Sequence, residues 1–186
     1  MRLLKAKLPR LVASRLVIRP LEPHEAALMT EFRIENKAHL EPWEPKRSSE
    51  FFTEGFWQID LRLTLRDFRD GSSVRLCLLS PEEDEVLGVC NYTSIVRGTF
   101  QSCHLGYALA KKHQGRGIMF EALQLTNRYL FEELDLHRIV AGYLPHNDRS
   151  GQLLKKLGFE KEGYARQYLK INGRWEDHIL TSLINS

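Results

Sequence analysis

No apolar run in the sequence approaches the roughly 20 residues of a membrane-spanning helix, which argues against a membrane protein. The first ten residues, MRLLKAKLPR, hold four basic groups. They lack the apolar core of a signal peptide, so a frayed, solvated terminus is expected there. Charge of one sign is also scarce. Lys+Arg outnumber Asp+Glu by only 27 to 24, a net charge of +3. That is too mild for a protein whose main ligand is nucleic acid. Cysteine is limited to Cys77, Cys90 and Cys103. None forms a C-x-x-C pair, and no His/Cys cluster has zinc spacing, so neither a metal site nor a disulfide framework is indicated. Each lies in an apolar, strand-like context, which predicts buried free thiols in a reducing cytoplasm. Repeats, low-complexity tracts and long linkers are missing too, so residues 1–186 are read as one domain.

What is present is an alternation of strand and helix signals. Residues 14–21 (SRLVIRPL) alternate and predict a first strand. Pro23 suits the first turn of a helix reaching about Asn36. Residues 37–49, broken by Pro42 and Pro45, read as a loop. Ser48 or Ser49 can cap a second helix to about Asp70, with Phe52, Phe56, Ile59 and Leu63 at helical spacing. Gly71 ends it. Strands follow at 74–79, 86–96 and 100–109, joined by the short turns SPEED and RGT, which predicts antiparallel pairing. A third helix spans about 117–133 with Met119, Leu123, Thr126 and Leu130 on one face. Then come a strand at 138–143 and a helix at 150–158 that Asn147 or Asp148 can cap. Asn172-Gly173 marks a hairpin turn between strands at about 163–171 and 174–184. The pattern is a mixed α/β sheet of about seven strands and four helices.

The stretch HQGRGIMFEAL (113–123) places Gly115 and Gly117 just where the third helix must begin. Glycine is costly inside a helix. Here it frees backbone N–H groups at a helix N-terminus, which favours an anion such as a pyrophosphate. Lys111, Lys112 and Arg116 add positive charge. A Walker loop would need Lys-Ser/Thr after the second glycine, and Ile118-Met119 stand there instead. The dinucleotide fingerprint would need a third glycine where Phe120 sits, and an acidic residue that does not end the next strand.

Gln114-Gly115-Arg116-Gly117 resembles the pyrophosphate loop of the GNAT acetyltransferases, Gln/Arg-x-x-Gly-x-Gly/Ala. NDRSGQLLKKLGF (147–159) resembles the second signature of that family, Asn-x-x-Ser…Leu-Gly-Phe. LEPWEP (40–45), GVCNYTSIVRG (88–98), LGYAL (105–109), PHNDRSG (145–151) and GFEKEGYA (158–165) are similar to the branch that acetylates the amino-terminal alanine of a small-subunit ribosomal protein.

The resemblance implies a GNAT fold splayed between its fourth and fifth strands. It also implies acetyl-CoA as cosubstrate, with no metal. The cosubstrate arm would pair with the Tyr107–Lys111 backbone, along the strand ending at Leu109. Its pyrophosphate would lie on Gln114, Gly115, Arg116, Gly117, Ile118 and Met119. Ser150 becomes the candidate hydroxyl donor to the departing thiol, with Asn147 positioning the cosubstrate arm. A simpler reading of both residues is helix capping. Candidate bases are Asp177, on the last strand, and Glu44, in the proline-braced loop. His178 and His104 are further histidines, more often structural than catalytic.

Two positions depart from the family pattern. Met119 occupies the last Gly/Ala position of the loop. Leu153-Leu154 stand where many members carry an acidic tyrosine. Glutamates 22, 25, 31, 35, 41 and 44 are either a solvated helix face or an acidic rim for a basic protein tail. The resemblance implies a cytoplasmic enzyme whose partner is a ribosomal protein N-terminus, free or in an assembly intermediate. Two alternatives remain open at this point. One is acetylation of a small amine, such as a polyamine or an antibiotic. The other is a ribosome-associated assembly factor that contacts ribosomal RNA through its basic first ten residues.

Overall fold

A computed structural model describes residues 7–185. Most of the basic terminal segment lies outside them. One mixed sheet organises the chain, in the order β1-β2-β3-β4-β5-β6-β8-β7. Its strands are β1 (Leu11–Val12), β2 (Val17–Arg19), β3 (Val74–Leu79), β4 (Val86–Val96), β5 (Ser102–Leu109), β6 (Arg138–Tyr143), β7 (Glu160–Ile171) and β8 (Arg174–Ile184). Among the described residues five α-helices accompany them: α1 (Ala26–Glu35), α2 (Lys37–Leu40), α3 (Glu54–Arg69), α4 (Ile118–Glu132) and α5 (Asp148–Lys156). The count exceeds the expected seven strands by the two-residue β1, which pairs antiparallel with β2.

The sheet is buried on both faces at its centre, and β3 shows how. Leu76 and Leu78 enter the cluster under α4 and α5, while Cys77 and Leu79 enter the cluster under α1 and α3. Successive side chains of a strand point to opposite faces. A strand covered on both sides therefore reads as a continuous apolar run, VRLCLL, instead of an alternating one.

Three expectations need correction. Residues 37–49 are not all loop. They hold α2 and a 3-10 turn at Glu41–Trp43, because Pro42 sits in the first turn, where a missing N–H costs nothing. Helix α3 is capped by Thr53, whose hydroxyl accepts from Phe56 N at 3.3 Å, and not by Ser48 or Ser49. Its buried stripe is Trp57, Leu61, Thr64 and Phe68, while Ile59 is 60% exposed and Leu63 39%. The stripe is set by Trp57. Its Nε1–H donates to Phe51 O at 2.8 Å, and its ring meets Phe51 edge-on at 4.9 Å.

Helix α4 must be held firmly, because its first turn faces the candidate site. Leu123 and Leu130 are fully buried under the sheet. Each such side chain contributes roughly 1.5–3 kcal/mol of transfer free energy. A polar pin adds direction. Tyr92 on β4 is fully buried, donates from Oη to Asn127 Oδ1 at 2.7 Å, and lies 2.7 Å from Thr126 Oγ1. Burial pushes the phenol well above its ordinary pKa, so it stays a donor. Tyr92→Phe strands the buried Asn127 acceptor. The variant should lose about 1–3 kcal/mol of stability. Urea unfolding should show a lower midpoint with an unchanged slope. An unchanged midpoint would mean that the pin contributes nothing.

Candidate active site

The parallel pairing of β5 with β6 runs from Ser102↔Arg138 to Leu105↔Ala141 and stops. Beyond that point residues 106–109 pair only with β4, and Gly142 and Tyr143 only with β8. The two strands part, and β5 keeps a free backbone edge along the gap. The expected splay is thus found between β5 and β6, the fourth and fifth strands if β1 is left out of the count. An extended, amide-bearing molecule can pair with such an edge as an added strand.

At the end of that edge the chain turns through Lys111–His113 and enters α4. Gly115 and Gly117 both have φ of 75°, in the left-handed region, and Gly117 is the N-cap of α4. A side chain there costs roughly 1–2 kcal/mol. A Cβ built on Gly115 would meet no atom within 4 Å, so its face of the loop is open to a ligand. Ile118 and Met119 are both buried in the core cluster. Their side chains point inward, and the departure at Met119 leaves the loop's outer face clear.

Neighbours hold the loop in shape. Arg15 donates from Nη1 to Arg116 O at 2.7 Å, and from Nε and Nη2 to Glu121 Oε2 at 2.9 and 2.6 Å. Asn36 Oδ1 accepts from Lys111 N at 2.9 Å, while Asn36 Nδ2 donates to Phe32 O. Gln114 is clasped on both sides. Its Oε1 accepts from Arg149 Nη1 at 2.5 Å, and its Nε2 lies 3.0 Å from His39 Nε2. Burial lowers the His39 pKa, which favours the neutral ring as acceptor. The basic charge is arranged differently from the expectation. Lys112 pairs with Glu85 at 2.9 Å and Glu35 at 3.6 Å. Among the described residues, Lys111 and Arg116 of the loop form no ion pair, and Arg149 from α5, bound to Gln114 through Nη1, adds its charge beside them.

Facing the loop across the gap is the first turn of α5. Asn147 caps it, accepting from Ser150 N at 3.2 Å. The Ser150 hydroxyl lies 2.6 Å from Tyr107 Oη. Gly151 admits the Tyr143 ring, which a Cβ would meet at 2.9 Å.

The other candidates lie apart from this pair. Glu44 is bound to Arg33 Nη1 at 2.8 Å and to Arg47 at 3.5 Å. Its carbonyl accepts from Asn172 N at 2.9 Å, which ties the α2 region to the β7–β8 turn. Asp177 accepts from Tyr164 Oη at 2.6 Å and Gln167 N at 2.8 Å. Those two donors, the phenol first, hold its carboxyl below the usual range. Among the described residues, neither carboxylate bonds to Ser150 or Asn147. His178 is 3% exposed and bonded through Nδ1 to Glu176 O, whereas His104 is exposed. Cys77, Cys90 and Cys103 are buried, and burial pushes each thiol up to about 12, so none is a nucleophile. Of the six glutamates, Glu25, Glu35 and Glu44 pair with Arg19, Lys112 and Arg33. No uninterrupted acidic rim is formed.

Sequence reasoning missed Arg15, Asn36, His39, Tyr143, Arg149 and the side chain of Tyr107, whose backbone alone it placed along the cosubstrate arm. Only the two tyrosines left a signal. Tyr107 continues the inward alternation of Cys103 and Leu105, and Tyr143 that of Ile139 and Ala141.

The comparisons with known proteins agree with this geometry. Residues 15–160 match the family model described as the acetyltransferase (GNAT) domain. The [ribosomal protein uS5]-alanine N-acetyltransferase of Escherichia coli K12 is 45% identical over 174 residues, covering 94% of this chain and 90% of that protein. The crystal structure of the ribosomal-protein-S5-alanine acetyltransferase from Vibrio fischeri superposes with a TM-score of 0.92 at 38% identity, covering 96% of this chain and 97% of the other. A Mycobacterium smegmatis relative, RimJ in complex with CoA-disulfide, gives 0.85 at 28% identity over 91% of this chain and 81% of its own. With a family model spanning most of its length and a relative 45% identical over 94% of it, this chain belongs to the GNAT acetyltransferase family.

Proposed function

We propose that this protein transfers the acetyl group of acetyl-CoA to the amino-terminal nitrogen of a small-subunit ribosomal protein, at an alanine. One observation carries the reading above all others. The 45% identity to the uS5-alanine enzyme extends over 94% of this chain and so includes the acceptor side as well as the phosphate loop. A cytoplasmic setting follows from a ribosomal substrate. Among the described residues no helix is long and apolar enough to cross a membrane. Free protein and assembly intermediate are both substrates compatible with this chemistry.

The cosubstrate's amide-bearing arm would pair with residues 107–111 along the free edge of β5, with Asn147 across the gap. Its pyrophosphate would rest on the backbone N–H groups of residues 114–119, at the positive end of α4. The amine attacks the thioester carbonyl, and backbone N–H groups at the parting strands can receive the developing oxyanion. The C–S bond then breaks with its electron pair on sulfur, and Ser150 donates a hydrogen bond to that sulfur. Little help is needed at nitrogen. An α-amino group has a pKa near 7.7–8.0, so much of it is already neutral at the working pH. Asp177 and Glu44 each already accept two hydrogen bonds, and among the described residues neither bonds to Ser150 or Asn147. We therefore assign the nitrogen's proton to water.

Three outcomes test this reading. An alanine-starting peptide from the ribosomal protein should be acetylated with kcat/KM about 100-fold above spermidine or an aminoglycoside, measured by released thiol. Preference for a small amine would refute the acceptor assignment. With the peptide, kcat/KM should rise with pH and level off above about 8, following the free amine. A flat profile from 6 to 9 would exclude capture of the neutral amine. Gly115→Val meets no protein atom within 4 Å, but it fills the loop's open face and strains the backbone at φ 75°. Its Kd for CoA should rise about tenfold or more by calorimetry, and an unchanged Kd would remove the loop from the site.

A further inference from the structure

We infer that Tyr107 is a positioning residue for acetyl transfer. Its phenol holds the Ser150 hydroxyl across the gap between β5 and α5, so that the serine hydrogen is turned toward the leaving sulfur. The inference rests on the acetyl-CoA reading above and deepens it. Tyr107 belongs to the part of β5 that has left β6, and it is packed against the core under α4 and α5. Its Oη is 2.6 Å from Ser150 Oγ and 3.5 Å from Ser150 O. Only the shorter contact has the length of a firm hydrogen bond.

The direction of that bond follows from chemistry. A phenol is a stronger donor than an alkyl alcohol, and a serine hydroxyl can accept while still donating its own hydrogen. Burial pushes the Tyr107 pKa up to about 12, so the phenol keeps its proton throughout the working range. Tyr107 then donates to Ser150 Oγ, which leaves the serine hydrogen free for another acceptor. The serine backbone is held in place, because its N–H is bound to Asn147 and the next residue is packed under the Tyr143 ring; the Tyr107 contact then selects the hydroxyl's rotamer. During transfer the amine nitrogen forms its bond to the acetyl carbon, and the C–S bond breaks with its pair on sulfur. The nitrogen's proton goes to water. The thiolate leaves hydrogen-bonded to Ser150 and takes a proton from solvent afterwards. Tyr107 exchanges no proton in this scheme and acts through the serine.

Tyr107→Phe removes one oxygen and tests the assignment. With a saturating alanine-starting peptide, kcat should fall about tenfold, while KM for acetyl-CoA stays within about twofold. Ser150→Ala should also lower kcat, and the double variant should be no slower than Ser150→Ala alone, since the phenol acts only through the hydroxyl. A Tyr107→Phe enzyme at wild-type kcat, or a double variant slowed by the product of the two single effects, would overturn the inference. Circular dichroism shows whether Tyr107→Phe folds. If it does not, 3,5-difluorotyrosine at position 107 keeps the ring and hydroxyl but makes the phenol more acidic. Its kcat should fall at alkaline pH where the wild type holds steady, and coincident profiles would refute the role. A folded wild-type protein that neither binds CoA nor consumes acetyl-CoA would overturn the parent reading and this inference with it.

Discussion

The site depends on a single break in backbone pairing. β5 and β6 are hydrogen-bonded for four residues on each strand and then diverge after Leu105 and Ala141. An unpaired strand edge is a ready template for another extended chain, and residues 106–109 of this one are exposed or half-buried. The parting therefore creates an edge that a peptide-like molecule can complete. It also opens the sheet at the C-terminal ends of its parallel strands, the usual ligand position in open α/β sheets. The loop at 114–119, the start of α4 and the first turn of α5 all border this opening. Their geometry matters only because the strands separate there.

Keeping such a gap open requires stiff walls. On one side, α4 is fixed by its apolar stripe and by the Tyr92 pin, while Arg15 and Asn36 brace the loop that precedes it. On the other side, Tyr143 packs over Gly151 and seats the first turn of α5 against β6. Between the walls run two polar bridges, Gln114 to Arg149 and Tyr107 to Ser150. The Gln114 bridge joins the phosphate loop to the helix that carries the candidate donor. One movement could therefore be felt at both ends of the cosubstrate.

Much of this was legible in the sequence, and the reasons are local. Gly115 and Gly117 advertise a positive-φ turn before a helix. Asn147 and Ser150 stand at cap spacing, and Asn172-Gly173 specifies a hairpin. Those are short-range signals, and the structure bears out each as local geometry. The misreadings came from side-chain packing that spacing does not encode. Helical spacing puts Phe52, Phe56, Ile59 and Leu63 on one face of α3, but the Phe51–Trp57 contact sets the register. Arg15, Asn36 and His39 lie more than 70 residues from the loop they brace. No spacing rule reaches that far. Tyr107 was visible as an inward strand residue, but its partner on α5 could be known only once the strands were seen to part. Glu44 and Asp177 looked like free carboxylates in sequence, and their arginine, tyrosine and backbone partners appear only in the fold.

The central claim is that the free edge of β5 and the loop after it grip acetyl-CoA together. Amide hydrogen exchange on the folded protein, with and without saturating CoA, tests this most directly, because it reads the backbone groups themselves. Slower exchange should appear at residues 107–111 and 114–119, with little change in β7 or α3. Exchange unaltered along those two segments while CoA is bound, or protection confined to another surface, would contradict the account.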